Sequence, residues 1–117
     1  MSESIIRIKS KEFAKNIIFL CRKLNYNHTE FALINQLLRA GTSIGDNVYE
    51  AQYAQSTKDF ISKLEIALKE CNETAYWLEL LFETNSMTLE EFDCFKKQYI
   101  ELRRMIVSSI TTLKKKL

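Results

Sequence analysis

Apolar residues return every three or four positions through four stretches of the chain, and clusters of turn-forming polar residues interrupt them three times. That period predicts four helices, over about residues 4–25, 30–54, 57–84 and 89–115. The first places Ile6, Phe13, Ile17, Leu20, Cys21 and Leu24 on one side, and "NYNHT" (Asn25 to Thr29) closes it. Thr29 then offers an N-cap for the second, whose stripe runs Phe31, Ile34, Leu37/Leu38, Gly41, Ile44/Gly45, Val48 and Ala51. Ser56 offers a cap for the third, with Asp59 near the positive end of its dipole and a stripe of Phe60, Leu64, Ala67, Cys71, Thr74, Leu78 and Leu81. "TLEE" (Thr88 to Glu91) fits a capping box, and Phe92, Phe95, Tyr99, Leu102, Ile106, Ile110 and Leu113 follow in phase.

Long helices joined by short connections must lie antiparallel to their sequence neighbours, so the expected fold is a single all-α domain, an up-down-up-down antiparallel four-helix bundle. Composition agrees: the 117 residues include no proline and only two glycines. Both glycines, Gly41 and Gly45, fall on the apolar stripe of the second helix, where each costs roughly 1 kcal/mol relative to alanine. A steric demand must retain them. A bulky neighbour within the monomer such as Trp77 or Tyr76, close packing between subunits, or a nearby ligand would each meet it. The membrane form of the GxxxG motif does not apply, because Arg39, Asp46 and Glu50 interrupt any apolar span. Asn47 and Glu50, with Glu70 and Glu73 on the third helix, sit at a core border, where hydrogen bonds to Ser43, Lys63 or Arg39 would fix helix register.

Charge is distributed unevenly along the chain. Residues 1–25 carry six Lys/Arg against two Glu, residues 26–93 four against twelve Asp/Glu, and residues 94–117 seven against one. Both ends are basic and the middle is acidic. In the expected topology the first and fourth helices are neighbours, so the basic ends would share one flank. Arg7, Lys11, Lys15 and Arg22 on the first helix, and Lys96, Lys97, Arg103 and Arg104 on the fourth, are the candidates for neutralising phosphates of RNA or DNA. The rival expectation is a structural or interaction module in which basic and acidic flanks meet between subunits and close a ring without nucleic acid. "LKKKL" (Leu113 to Leu117) either offsets the last helix's dipole or serves as a basic tail.

Catalytic chemistry finds little footing. Di-metal carboxylate bundles need inward Glu-x-x-His pairs, and the one histidine, His28, falls in a turn. "GTSIG" lacks the GxxxxGK[ST] phosphate-loop pattern. Cys21, Cys71 and Cys94 form no CxxC pair and read as helix-face hydrophobes. No enzyme activity, metal or cofactor is expected, and the lack of an apolar leader or membrane span points to the cytoplasm.

"SIGDNVYEAQYAQSTKDFISKLEIALKECNETAYWLELL", Ser43 to Leu81, resembles the signature region of the small four-helix-bundle proteins named after intervening sequences in bacterial 23S rRNA genes. The pattern is Ser-Ile-x-x-Asn-x-x-Glu-Ala, then Ser-x-x-Asp-Phe, then Ile-Ala-x-x-Glu-x-x-Glu-Thr. Gly41, Ser43, Ile44, Gly45, Asn47, Glu50, Asp59, Phe60, Glu70 and Glu73 carry it or pack beside it. Asp46 and Cys71 depart from the usual small residues without threatening the fold. The resemblance implies a non-enzymatic bundle that assembles as a ring-like homopentamer. A related branch, the accessory variability protein of diversity-generating retroelements, has a basic barrel that binds nucleic acid and works with a reverse transcriptase. Self-association, RNA or DNA and, in a retroelement context, a reverse transcriptase are therefore the expected partners, with no membrane.

Overall fold

Helix ends in this chain are set by side chains and by left-handed residues that the sequence supplies at the turns. The computed structural model describes residues 2–117, with side chains from Ile5 onward. Its helices are α1 (Ser2–Tyr26), α2 (Phe31–Ala51), α3 (Thr57–Glu83) and α4 (Leu89–Lys114). Ser56 caps α3 by accepting from the Asp59 N–H at 3.1 Å. Thr88 and Glu91 form the expected capping box on α4, with bonds of 3.1 and 2.9 Å.

His28 and Asn85 close the preceding helices at φ 64° and 66°, in the left-handed region where Asn and His are enriched. In each case the next N–H reaches back to a carbonyl five residues earlier, Thr29 to Leu24 at 3.0 Å and Ser86 to Leu81 at 2.8 Å. This use of Thr29 corrects one expectation. Thr29 belongs to the end of α1, and α2 starts from Glu30 with no side-chain cap.

Each helix packs on its sequence neighbour and α4 closes back on α1, while among the described residues no Cα atoms approach within 8 Å across either diagonal. The result is the up-down-up-down bundle, 47 × 21 × 20 Å. Phe13, Ile17, Leu24, Leu37, Ile44, Leu78, Leu81, Leu102 and Ile106 are its most deeply buried large side chains. Phe31, in the first turn of α2 where the stripe outruns the core, leaves its stripe and is 72% exposed. Cys94, read as a helix-face hydrophobe, is exposed on α4. Cys21 and Cys71 are buried, which pushes both thiols up to about 11, so they stay protonated at neutral pH.

Gly41 and Gly45 face α1, not Trp77 or Tyr76. A Cβ at Gly41 would lie 2.8 Å from Cγ1 and Cγ2 of Ile17, and one at Gly45 would lie 3.2 Å from the Ser10 carbonyl oxygen. The glycines let the α1 backbone approach within the monomer.

Polar bonds also link α2 to α3 and α1 to α4. Arg39 on α2 donates to Glu73 at 2.8 Å and to Glu70 at 3.3 Å on α3, and Lys63 lies 3.7 Å from Glu50. Asn47 donates to the Ser43 carbonyl at 2.9 Å within α2, so, contrary to expectation, this bond sets no register between helices. Across the α1/α4 seam Lys23 pairs with Glu91, Asn16 donates to Gln98 at 2.9 Å, and Lys9 pairs with Glu101 at 3.0 Å.

The Lys23 ammonium, with the Thr88 N–H, holds the Glu91 carboxyl below its ordinary value of 4.5. A lowered folded value means that the unfolded chain binds the proton more tightly. The contribution is therefore complete above the ordinary value and is lost as pH falls through the lower folded one. Denaturant unfolding of wild type and Glu91→Gln, which keeps a capping side chain, should show a stability gap at neutral pH that narrows on acidification. A gap independent of pH would contradict the pairing.

Candidate nucleic-acid interface

All eight basic candidates are exposed, but they do not make one strip along the α1/α4 seam. The seam is occupied by Lys9, Asn16 and Lys23 facing Glu101, Gln98 and Glu91, so its charges are largely matched. The candidates lean away from it on both sides. At about 100° per residue, Lys15 and Arg22 fall opposite the buried stripe of α1, while Arg7 and Lys11 turn toward α2. The Arg7 guanidinium carbon lies 5.7 Å from the centroid of the Tyr49 ring on α2. On α4, Lys97 and Arg104 point outward, while Arg103 turns toward α3 and donates to Asn72 at 3.2 Å.

Few of these cations are neutralised by the protein itself. Among the described residues, only Lys15 of the eight has a carboxylate within 4.0 Å, that of Glu12 in its own helix at 3.2 Å. Arg22 and Lys96 lie over the rings of Phe19 and Phe92 at 5.8 and 5.9 Å. The acids of the middle helices are drawn instead to Arg39, Lys63 and Lys114, the last reaching Glu65 at 3.1 Å. The expectations from sequence miss Lys9 and Lys23 as seam residues; the signal for them is the recurrence of Lys9, Asn16 and Lys23 every seven residues, with Glu91 and Gln98 at the same spacing.

Two concave surfaces adjoin the basic groups. One, of 390 Å³ near the C-terminal end of α4, has Arg104 and Lys116 at its edge over Ile6, Phe60, Met105 and Leu113. The other, of 260 Å³, lies between α1 and α2 and is lined by Arg7, Lys11, Thr42, Gly45, Asp46 and Tyr49. Large apolar side chains stand outward as well, including Ile8, Phe19 and Tyr26 on α1 and Tyr76 on α3. Among the described residues no cluster of His, Cys, Asp or Glu could hold a metal ion, and no helix is long and apolar enough to cross a membrane.

Fold and surface together define an all-α antiparallel four-helix bundle whose outer helices carry exposed, mostly unneutralised cations. The chain belongs to the family of 23S rRNA-intervening sequence proteins, whose model matches residues 2–108. It is similar to a crystal structure of a protein of unknown function from the S23 ribosomal protein family of Bacteroides thetaiotaomicron, at 45% identity and a TM-score of 0.92. That match covers 95% of this chain and 99% of the other. No individually curated protein matches.

Proposed function

We propose that this chain is a non-enzymatic, self-assembling cytoplasmic protein that binds RNA or another nucleic acid through the basic side chains of α1 and α4. The observation that supports it is the exposure of Lys11, Lys96, Lys97 and Arg104 with no carboxylate within 4.0 Å among the described residues. A cation paired to a carboxylate has little field left for phosphate, whereas these release counterions when a phosphate approaches. Assembly into a ring, five copies in this reading, would repeat both basic strips around one surface and raise a weak monomer affinity by multivalency.

The test is fluorescence anisotropy with a labelled RNA hairpin over a salt series, alongside mass measurement with and without RNA. Arg103→Glu/Arg104→Glu should weaken binding about tenfold or more and flatten the salt dependence. Absence of binding by the wild type at low salt would overturn the reading. A second reading has its own support: Glu79, Glu83, Glu90 and Asp93 are exposed with no cation within 4.0 Å among the described residues. They could meet a neighbour's basic strip and close a ring without nucleic acid, in which case the double variant would fall apart as an oligomer.

A further inference from the structure

The α1/α2 groove differs from the rest of the basic surface in what surrounds its cations. Arg7 and Lys11 line one wall, Thr42 and Asp46 the other, and Gly45 leaves the floor without a side chain. Tyr49 stands at the rim, half exposed, with the Arg7 guanidinium against its ring and Tyr53 beside it at a centroid distance of 5.3 Å and a tilt of 54°. Tyr53 is 71% exposed and presents a large aromatic surface to solvent. Cations beside an open aromatic face are the arrangement that single-stranded nucleic acid uses, backbone on the charges and base on the ring.

We propose that this groove is a subsite for one nucleotide unit of a single-stranded nucleic acid, its phosphodiester held by Arg7 and Lys11 and its base stacked on the Tyr49/Tyr53 pair. The proposal rests on the nucleic-acid reading above and adds to it the strandedness of the ligand and the place where a base is held.

Charge and size both select this ligand. Two cations and the Asp46 carboxylate leave the lining at one net positive charge, enough to neutralise one phosphodiester. Asp46 accepts from a hydroxyl or amino donor of the same nucleotide. The 260 Å³ groove falls below the about 300–1,000 Å³ of a site that encloses a whole drug-sized molecule. It therefore takes sugar and phosphate, with the base outside on the tyrosines. A duplex cannot use it, because its bases are already stacked and paired.

The experiment titrates the full-length chain at low salt with a labelled oligouridylate and with a labelled duplex of equal length. Tyr49→Ala/Tyr53→Ala should weaken single-strand binding about tenfold while leaving duplex binding unchanged. Tyr49→Phe/Tyr53→Phe, which keeps both rings, should bind as the wild type does. Both positions are exposed, so an unchanged unfolding midpoint confirms that the fold survives. Unaltered single-strand binding by the alanine variant, or an equal loss on strand and duplex, overturns the subsite. If Arg103→Glu/Arg104→Glu weakens binding and the tyrosine variant does not, nucleic-acid binding stands and this subsite falls. If the wild type binds neither probe, both fall together.

Discussion

Replacing Phe13 by alanine is expected to lower the free energy of unfolding by about 3–5 kcal/mol, the range for deleting a large buried aromatic side chain. Phe13 is 1% exposed and meets Phe95 of α4 edge to face, with centroids 6.2 Å apart and planes at 71°. The α1/α4 pair has the sparsest backbone packing of the four neighbouring pairs, so these two rings fill space that no main chain can close over. A cavity left there should persist, which puts the cost toward the upper end. A typical domain has only about 5–15 kcal/mol in total, so the variant should be marginal at best. Urea unfolding followed by circular dichroism measures it, and Phe95→Ala with the double variant measures the coupling, expected at about 1 kcal/mol. A loss below about 2 kcal/mol would mean that the seam can collapse and that its outer bridges, Lys9 to Glu101 and Lys23 to Glu91, hold it.

The bundle was legible in the sequence because each kind of local signal agreed with the others. The stripes of α3 and α4 fall on the buried face almost residue for residue, Phe60 and Leu113 being only part-buried, and Ser56 and the Thr88/Glu91 box cap where a short polar side chain precedes an apolar run. Arg39, Glu70 and Glu73 found one another because a long cation at one core border can reach acids one turn apart on the next helix. Ambiguity entered where one residue could serve two helices. Thr29 suits an N-cap, but its N–H was needed to close α1 behind a left-handed His28, a demand that no single-helix pattern reveals.

The surface was harder to read because charge sums carry no direction. The basic ends do become neighbours, yet the position of each cation around its helix decides which neighbour it leans toward. Lys9 and Lys23 take the seam, and Arg7 and Arg103 turn to α2 and α3. The outward tyrosines lacked a signal of another kind. Tyr49 and Tyr53 are four apart, a spacing equally suited to a core face, but Tyr49 lies off the buried stripe of Ile44, Val48 and Ala51, and Tyr53 follows the end of α2 at Ala51.

Substituting Gly41 by valine should destabilise the protein by about 3 kcal/mol or more, because extra methyl groups must enter space already filled by Ile17. Alanine at Gly41 sets two effects against each other. Helix propensity gains about 1 kcal/mol, and overpacking costs about 1–3, since Ile17 is itself fully buried and stiff at its branched Cβ. The net should be a loss of roughly 1 kcal/mol. Ile17→Ala removes the two carbons that a Gly41 Cβ would strike, so Gly41→Ala/Ile17→Ala should cost clearly less than the sum of its single variants. Strict additivity would mean that the helices are not in this contact. Gly45→Ala has no such remedy, because its obstacle is the Ser10 carbonyl and only movement of α1 can relieve it. That movement would open the groove that holds Arg7 and Lys11 over Gly45, so its effect should reach single-strand binding as well as stability. Gly41 and Gly45 then differ in kind: the first spaces two side-chain layers, and the second sets the distance between the walls of the groove.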